Sequence, residues 1–175
     1  MTSTSTRETP AVVERAAQPY AAIRRQVTMA QMGEVLPPLN DQVVNWLAAH
    51  GGQPAGPPFW RYRVIDMAAL VDIEVGVATT DLVEPEGEVV TGMLPAGRYA
   101  SVEHTGHPDS LMAATRELLD WADEEGLVFD HVEQDDGDHW ECRLELYLTD
   151  PADEPDLNEW VTELAFKLAD DRTPR

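Results

Sequence analysis

The sequence predicts an α+β domain in which a βαββ unit occurs twice about a pseudo-twofold axis, sharing one antiparallel sheet with both helices on one face. Three observations carry this: a motif order that recurs, two helical stretches each closed by Trp and then Gly, and strands that alternate apolar and polar residues. The recurring order opens on a Tyr-bearing strand, Gln18-Pro-Tyr-Ala-Ala-Ile-Arg24 in one half and Gly97-Arg-Tyr-Ala-Ser-Val-Glu103 in the other. A helical stretch follows in each, running from Trp46 to Gly51 and from Trp121 to Gly126 at its end. Each half then carries a strand with a Glu inside it, Glu74 between Val71 and Val77 and Glu145 between Arg143 and Leu148. The separation between matched residues shrinks from the first pair to the last, so the two halves must differ in loop length.

The elements follow in order from periodicity and punctuation. Strand signals cover residues 12–25, 60–65, 70–78, 88–103, 139–149 and 162–168, several alternating with period two. The first helix spans residues 38–50: Pro37 and Pro38 fit only near a helix start, Leu39, Val43, Trp46 and Leu47 share one face, and Gly51 stops it. The second spans residues 111–126, with Leu111, Ala114, Leu118, Trp121 and Ala122 at helical spacing, Asp109 or Ser110 as a cap, and Gly126 at the left-handed position beyond its end. Two Pro/Gly-rich breaks, GGQPAGPP from Gly51 and TTDLVEPEGE from Thr79, read as loops, the second near the middle of the chain. The first ten residues, MTSTSTRETP, read as a disordered tail without the apolar core of a signal peptide. Residues 11–169 then form one domain, with halves at about 11–81 and 87–169, and residues 170–175 fray.

Composition bounds the function. The chain has 175 residues, enough for one domain with a sizeable core, and 43% are hydrophobic. Lys and Arg number 12 against 33 Asp and Glu, a formal charge of −21 that repels phosphate backbones and anionic headgroups. Direct nucleic-acid binding and membrane binding are therefore not expected. Cys142 stands alone, so it makes no internal disulfide or zinc knuckle and fits a reducing cytoplasm.

Strand parity sorts the side chains. Between Val71 and Val77, Ile73, Val75 and Val77 take the core side and leave Asp72, Glu74 and Gly76 opposite. Ile23 and Val102 point inward, which puts Tyr20 and Tyr99 on the outer face. In the last long strand Trp140, Cys142, Leu144, Leu146 and Leu148 form the core set, leaving Glu141, Arg143, Glu145, Tyr147 and Thr149 outward. The open face is thus expected to gather Glu74, Glu145 and several aromatics, with Trp60 and Tyr62 on one parity and able to join them.

Several of these segments together resemble one family. They are Gly97-Arg-Tyr-Ala with His104-Thr-Gly106, the Leu-rich helix ending Trp121 and Gly126, Val71-Asp-Ile-Glu-Val-Gly76, and Glu145-Leu-Tyr-Leu-Thr-Asp-Pro151 followed by Trp160-Val-Thr-Glu-Leu164. In that order and spacing they look like the GyrI-like small-molecule-binding domain, the effector-binding module found alone or fused to regulators of the AraC and MerR types. The resemblance spans about residues 12–168 and implies a stand-alone member with a ligand groove on the sheet face away from the helices. It implies that a partly buried glutamate among aromatics, here Glu145, recognises hydrophobic or cationic compounds. It also implies two alternatives: a hydrolase of strained cyclopropane-containing toxic compounds, with Glu145 and Tyr147 catalytic, and an inhibitor that binds DNA gyrase.

The physics of such a site is independent of the family. A carboxylate in an apolar cleft is desolvated, which disfavours its charge, and a bound cation restores it. Aromatic faces from Tyr20, Tyr62, Tyr99, Tyr147 or Trp60 each add a cation–π attraction of roughly 0.5–2 kcal/mol. The competing reading of Glu145 is a solvated charge paired with Arg143 or with nothing, and only pseudo-symmetry singles out Glu74. No cofactor motif or metal-ligand spacing is present. His104 and His107 read as a turn with polar caps, and the acidic stretch around His131 and His139 as a solvated hairpin without calcium-loop spacing.

Overall fold

The computed structural model describes residues 9–66, 70–150 and 153–169, so both expected tails lie outside the described residues save for Thr9 and Pro10. Among the described residues ten strands form one antiparallel sheet: β1 (Ala11–Arg15), β2 (Gln18–Val27), β3 (Pro54–Ile65), β4 (Val71–Thr79), β5 (Val89–Leu94), β6 (Gly97–Thr105), β7 (His131–Gln134), β8 (Gly137–Trp140), β9 (Arg143–Tyr147) and β10 (Val161–Lys167). The main path across the sheet runs β1-β6-β10-β9-β3-β4-β2-β5, and β7 and β8 make a hairpin attached to β3.

That order is palindromic in kind. From one edge inward it reads β1, β6, β10, β9, and from the other β5, β2, β4, β3, so the halves meet where β9 pairs with β3. The edge strands are exchanged. β1 leads into β2 of the first half yet pairs with β6 of the second, while β5 leads into β6 yet pairs with β2. The expected long strands at 12–25 and 88–103 are therefore each two strands, broken at Ala16-Ala17 and Pro95-Ala96, where the chain crosses from one half to the other.

The described residues form three α-helices: a single turn α1 (Met32–Val35), then α2 (Pro37–Ala49) and α3 (Leu111–Glu124). Leu39, Val43 and Leu47 of α2 are buried against Ile23, Val71, Ile73 and Val75, and Leu118 of α3 against Ala100, Leu164 and Phe166. Both helices thus lie on one sheet face, as the alternation implied. Gly126 has φ +72 and ends the second helical run, an angle an L side chain would strain. Trp46 and Trp121 are half-buried and pack on these two clusters.

The other face is not open. Tyr20, Ala22, Phe59, Leu94, Tyr99, Cys142, Leu144, Leu146 and Ala165 form a second apolar core there, because the sheet curls and its strands face one another. Gly76 belongs to this side: a Cβ at its position would lie 2.4 Å from the Ala21 carbonyl oxygen, so the close approach of β2 requires glycine. The central strand β4 is consequently buried on both faces along most of its length.

Two local departures have physical causes. The Pro-rich stretch expected as a loop continues into β3, with a register shift between Pro54 and Pro58. Prolines are tolerated there because β9 pairs with β3 only at Phe59–Arg61, so the Pro nitrogens owe no ladder bond on that side. The strand expected over 139–149 breaks at Glu141 and Cys142 into β8 and β9, which reverses the side on which Trp140 lies.

Candidate functional site

Register decides where the candidate glutamates point. Trp60 stands directly opposite Glu145 and directly opposite Val75, and Tyr62 opposite Ile73. Residues that face one another across a ladder share a sheet face. Glu145 therefore lies on the helix-bearing face, and so do Arg143 and Tyr147 by the period of two. The expectation that placed Glu145 on the face away from the helices is corrected on this point. It took Leu144 and Leu146 for the helix-facing set, whereas they belong to the second core.

Four expected site residues are brought together: Glu145, Tyr147, Trp60 and Tyr62. Three are not: Tyr20, Tyr99 and Glu74 belong to the opposite face. The pseudo-symmetry was misread at Glu74. When Tyr20 is matched to Tyr99, the cross-strand pair Arg24 and Glu74 corresponds to Glu103 and Glu163, so the counterpart of Glu74 is Glu163 on β10.

Glu74 is a structural carboxylate. Tyr20 donates its hydroxyl hydrogen bond to it at 3.0 Å, Arg61 Nη1 donates at 3.2 Å and Arg63 Nη1 reaches it at 3.4 Å. The Glu74 and Arg61 side chains are 4% and 6% exposed. Burial, and then the negative charge of Glu74, push the Tyr20 phenol up to about 12, so it stays a donor at any physiological pH. Arg61 Nη2 also donates to the Glu141 carbonyl at 2.6 Å, tying the β8–β9 break to β3. Tyr99 donates to the Pro95 carbonyl at 2.7 Å, a contact that fixes the crossing from β5 to β6.

The Glu145 site is built differently. It lies at the centre of the sheet, between α2, which packs on β2 and β4, and α3, which packs on β6. Tyr147 donates to Glu145 Oε1 at 2.7 Å. The Trp60 and Tyr147 rings meet edge to face with centroids 5.3 Å apart, and the Trp60 indole donates to Asn40 Oδ1 on α2 at 3.0 Å. Glu145 keeps some accessible surface, so a ligand can reach it. The protein around it nonetheless raises its pKa: desolvation dominates, opposed by the hydrogen bond from Tyr147, by the nearby Tyr62 hydroxyl and by the charge of Arg143. Burial holds the Tyr62 and Tyr147 phenols well above their ordinary range, so both remain neutral donors.

Arg143, Trp140 and Phe166 complete this neighbourhood, and sequence reasoning did not assign them to the site. The Arg143 guanidinium lies over the rings of Phe166, Trp140 and Tyr62 at 4.5, 4.7 and 5.8 Å from their centroids. Its shared parity with Glu145 was visible, but the break after Trp140 was not. Cavities of about 530 Å³, beside Val102, Leu118 and Trp121, and of about 300 Å³, beside Arg63, His131 and Trp140, are lined by neither Glu145 nor Tyr147. No group of His, Cys, Asp and Glu among the described residues is arranged to hold a metal ion. No helix among them is long and apolar enough to cross a membrane.

Comparison with known proteins places this architecture. The model of the GyrI-like small-molecule-binding domain matches residues 8–169. The C-terminal domain of EcmrR is 20% identical, with a TM-score of 0.70 over 92% of this chain and 97% of that one. In the EcmrR–DNA complex the chain spans only 57% of the EcmrR chain. SAV2435 bound to tetraphenylphosphonium is 11% identical with a TM-score of 0.63, covering 93% of this chain and 95% of that one. A hydrolase from Listeria innocua is 13% identical with a TM-score of 0.61, covering 91% of each chain. No curated protein matches. At these identities the neighbours establish the fold, and with the family model matching nearly the whole length, the chain belongs to the GyrI-like small-molecule-binding domain family.

Proposed function

We propose that the protein binds and sequesters a hydrophobic or cationic small molecule at Glu145, with Trp60, Tyr62 and Tyr147 as aromatic walls. The observation that carries this reading is a single carboxylate, desolvated and raised in pKa, enclosed by rings on the face between two helices. Such a group gains from a cation that restores its charge, and the rings contribute attraction without demanding one ligand shape. Glu145 keeps accessible surface beside the edge-to-face pair of Trp60 and Tyr147, so an apolar ligand that packs on those rings also reaches the carboxylate. Its family and the tetraphenylphosphonium bound to SAV2435 support the same class of ligand.

Titration calorimetry with a panel of lipophilic cations and neutral aromatics tests it. Saturable one-to-one binding by at least one member, weakened in Glu145→Gln, is the expected result. Absence of binding across the panel at millimolar ligand overturns it.

A hydrolytic reading is favoured by one feature, the 2.7 Å hydrogen bond from Tyr147 to a carboxyl whose pKa is raised. A carboxyl whose charged form is disfavoured by burial can hold a proton for a reacting atom, and general acid–base help of this kind gives a gain of roughly 10²–10⁴-fold. That suffices for a strained cyclopropane ring, whose opening supplies much of the driving force, and not for an unactivated ester. Mass spectrometry of the incubated ligands separates binding from turnover.

A further inference from the structure

The clustered charges beside Glu145 bear on which ligand enters. Arg143 and Glu145 are two residues apart on one face of β9, so their Cβ atoms stand about 6.6 Å apart, and Phe166 and Leu164 face them from β10. The guanidinium rests on three rings and makes no hydrogen bond or ion pair with any described residue. The carboxylates whose charge acts on it are hydrogen-bonded elsewhere: Glu145 accepts from Tyr147 at 2.7 Å and Asp138 is paired with His131 at 2.6 Å. An arginine fork left without an anionic partner on an aromatic platform is a recognition element for a planar anion.

We infer that Arg143 makes the site selective for zwitterionic aromatic ligands, whose cationic centre meets Glu145 while a carboxylate or comparable anion meets the Arg143 guanidinium. This rests on the binding role proposed for Glu145 and narrows its ligand class. A simple lipophilic cation is attracted by Glu145 and repelled by Arg143 at nearly the same distance, so the two effects largely cancel. A molecule bearing both charges, spaced by roughly one aromatic ring, uses both. The second charge also offers the guanidinium donors, which no described residue accepts from, an anionic acceptor.

The test compares tetraphenylphosphonium with its (4-carboxyphenyl)triphenylphosphonium analogue, which adds one carboxylate to the same scaffold, by titration calorimetry at pH 7.5. The wild-type protein is expected to bind the carboxylate form at least tenfold more tightly. Arg143→Met should abolish the preference, leaving the two affinities within about twofold, and Arg143→Lys should retain part of it. The wild-type comparison stands even if a variant fails to fold. Equal or tighter binding of plain tetraphenylphosphonium by the wild type, or a tenfold preference that survives in Arg143→Met, overturns the inference while leaving the role of Glu145 intact. Failure of both probes to bind overturns this inference, and the binding reading falls with it only if the wider panel of lipophilic cations and neutral aromatics also fails to bind.

Discussion

Trp60 and Glu145 face each other at the centre of the sheet, where the two halves meet and β3 pairs with β9. Neither half alone holds the site. The first contributes Trp60 and Tyr62, the second Glu145, Tyr147 and Arg143, and the pseudo-twofold junction brings them onto the face between the helices. This relationship explains why a carboxylate at mid-sheet is not solvated like an ordinary strand glutamate, and it separates the two glutamates that the repeat seemed to equate.

Glu74 and Glu145 should respond oppositely to neutralisation. Glu74→Gln leaves Arg61 buried beside an uncharged group, and breaking a buried pair in this way typically costs about 3–5 kcal/mol. Urea unfolding followed by far-ultraviolet circular dichroism should show that loss. Glu145→Gln removes a carboxylate whose ionisation is penalised by burial, so its stability at pH 7 should match or exceed that of the wild type.

Ligand affinity should depend on pH with a defined sign. The folded-state pKa of Glu145 is raised, so the folded protein holds that proton more tightly than the unfolded chain does. Its contribution to stability is therefore present below the ordinary carboxylate range and is lost as pH rises through the raised value. A cation binds the ionised form, so its affinity should rise with pH across the same window and level off above it. Titrations between pH 4.5 and 8 should show this rise in the wild type and a flat profile in Glu145→Gln.

Trp60 is the wall that also reaches a helix. Trp60→Ala removes both its ring contact with Tyr147 and its hydrogen bond to Asn40, and affinity for a lipophilic cation should fall by about 1–2 kcal/mol. The Asn40 amide nitrogen is already buried without a hydrogen bond. Removal of its neighbour should therefore also loosen α2, which hydrogen exchange of the helix amides would report.

Much of the fold was legible because its signals are local. Helix ends at Gly51 and Gly126, inward Ile23, Ile73 and Val102, and the outer placement of Tyr20, Tyr99 and Glu74 all follow from period and punctuation. One strand, β9, was assigned to the wrong face, and the site assignment turned on it. Leu144 and Leu146 look like a helix-facing stripe, but a curled sheet has an apolar core on each side, and alternation alone does not say which core a stripe joins. The discriminating signal was long-range: the pairing of Trp60 with Glu145 is a register between residues of different halves. The exchange of β1 and β5 is likewise a property of the closed sheet rather than of either segment.

Cys142 offers a check on the second core. The thiol is buried and its pKa is raised by desolvation, and thiolate is the reactive form. The native protein should resist Ellman's reagent over hours and react fully once unfolded in urea. Rapid reaction in the native state would show that the face opposite the helices is open.

The affinity of tetraphenylphosphonium for the wild-type protein, Glu145→Gln and Glu74→Gln, measured by titration calorimetry at pH 7.5, bears most directly on the claim that Glu145 is the recognition carboxylate. The account predicts a loss of about 1–3 kcal/mol in Glu145→Gln, because the cation loses its charged acceptor while the rings remain, and an affinity within twofold of wild type in folded Glu74→Gln. Unchanged affinity in Glu145→Gln, or an equal loss in both variants, would contradict it.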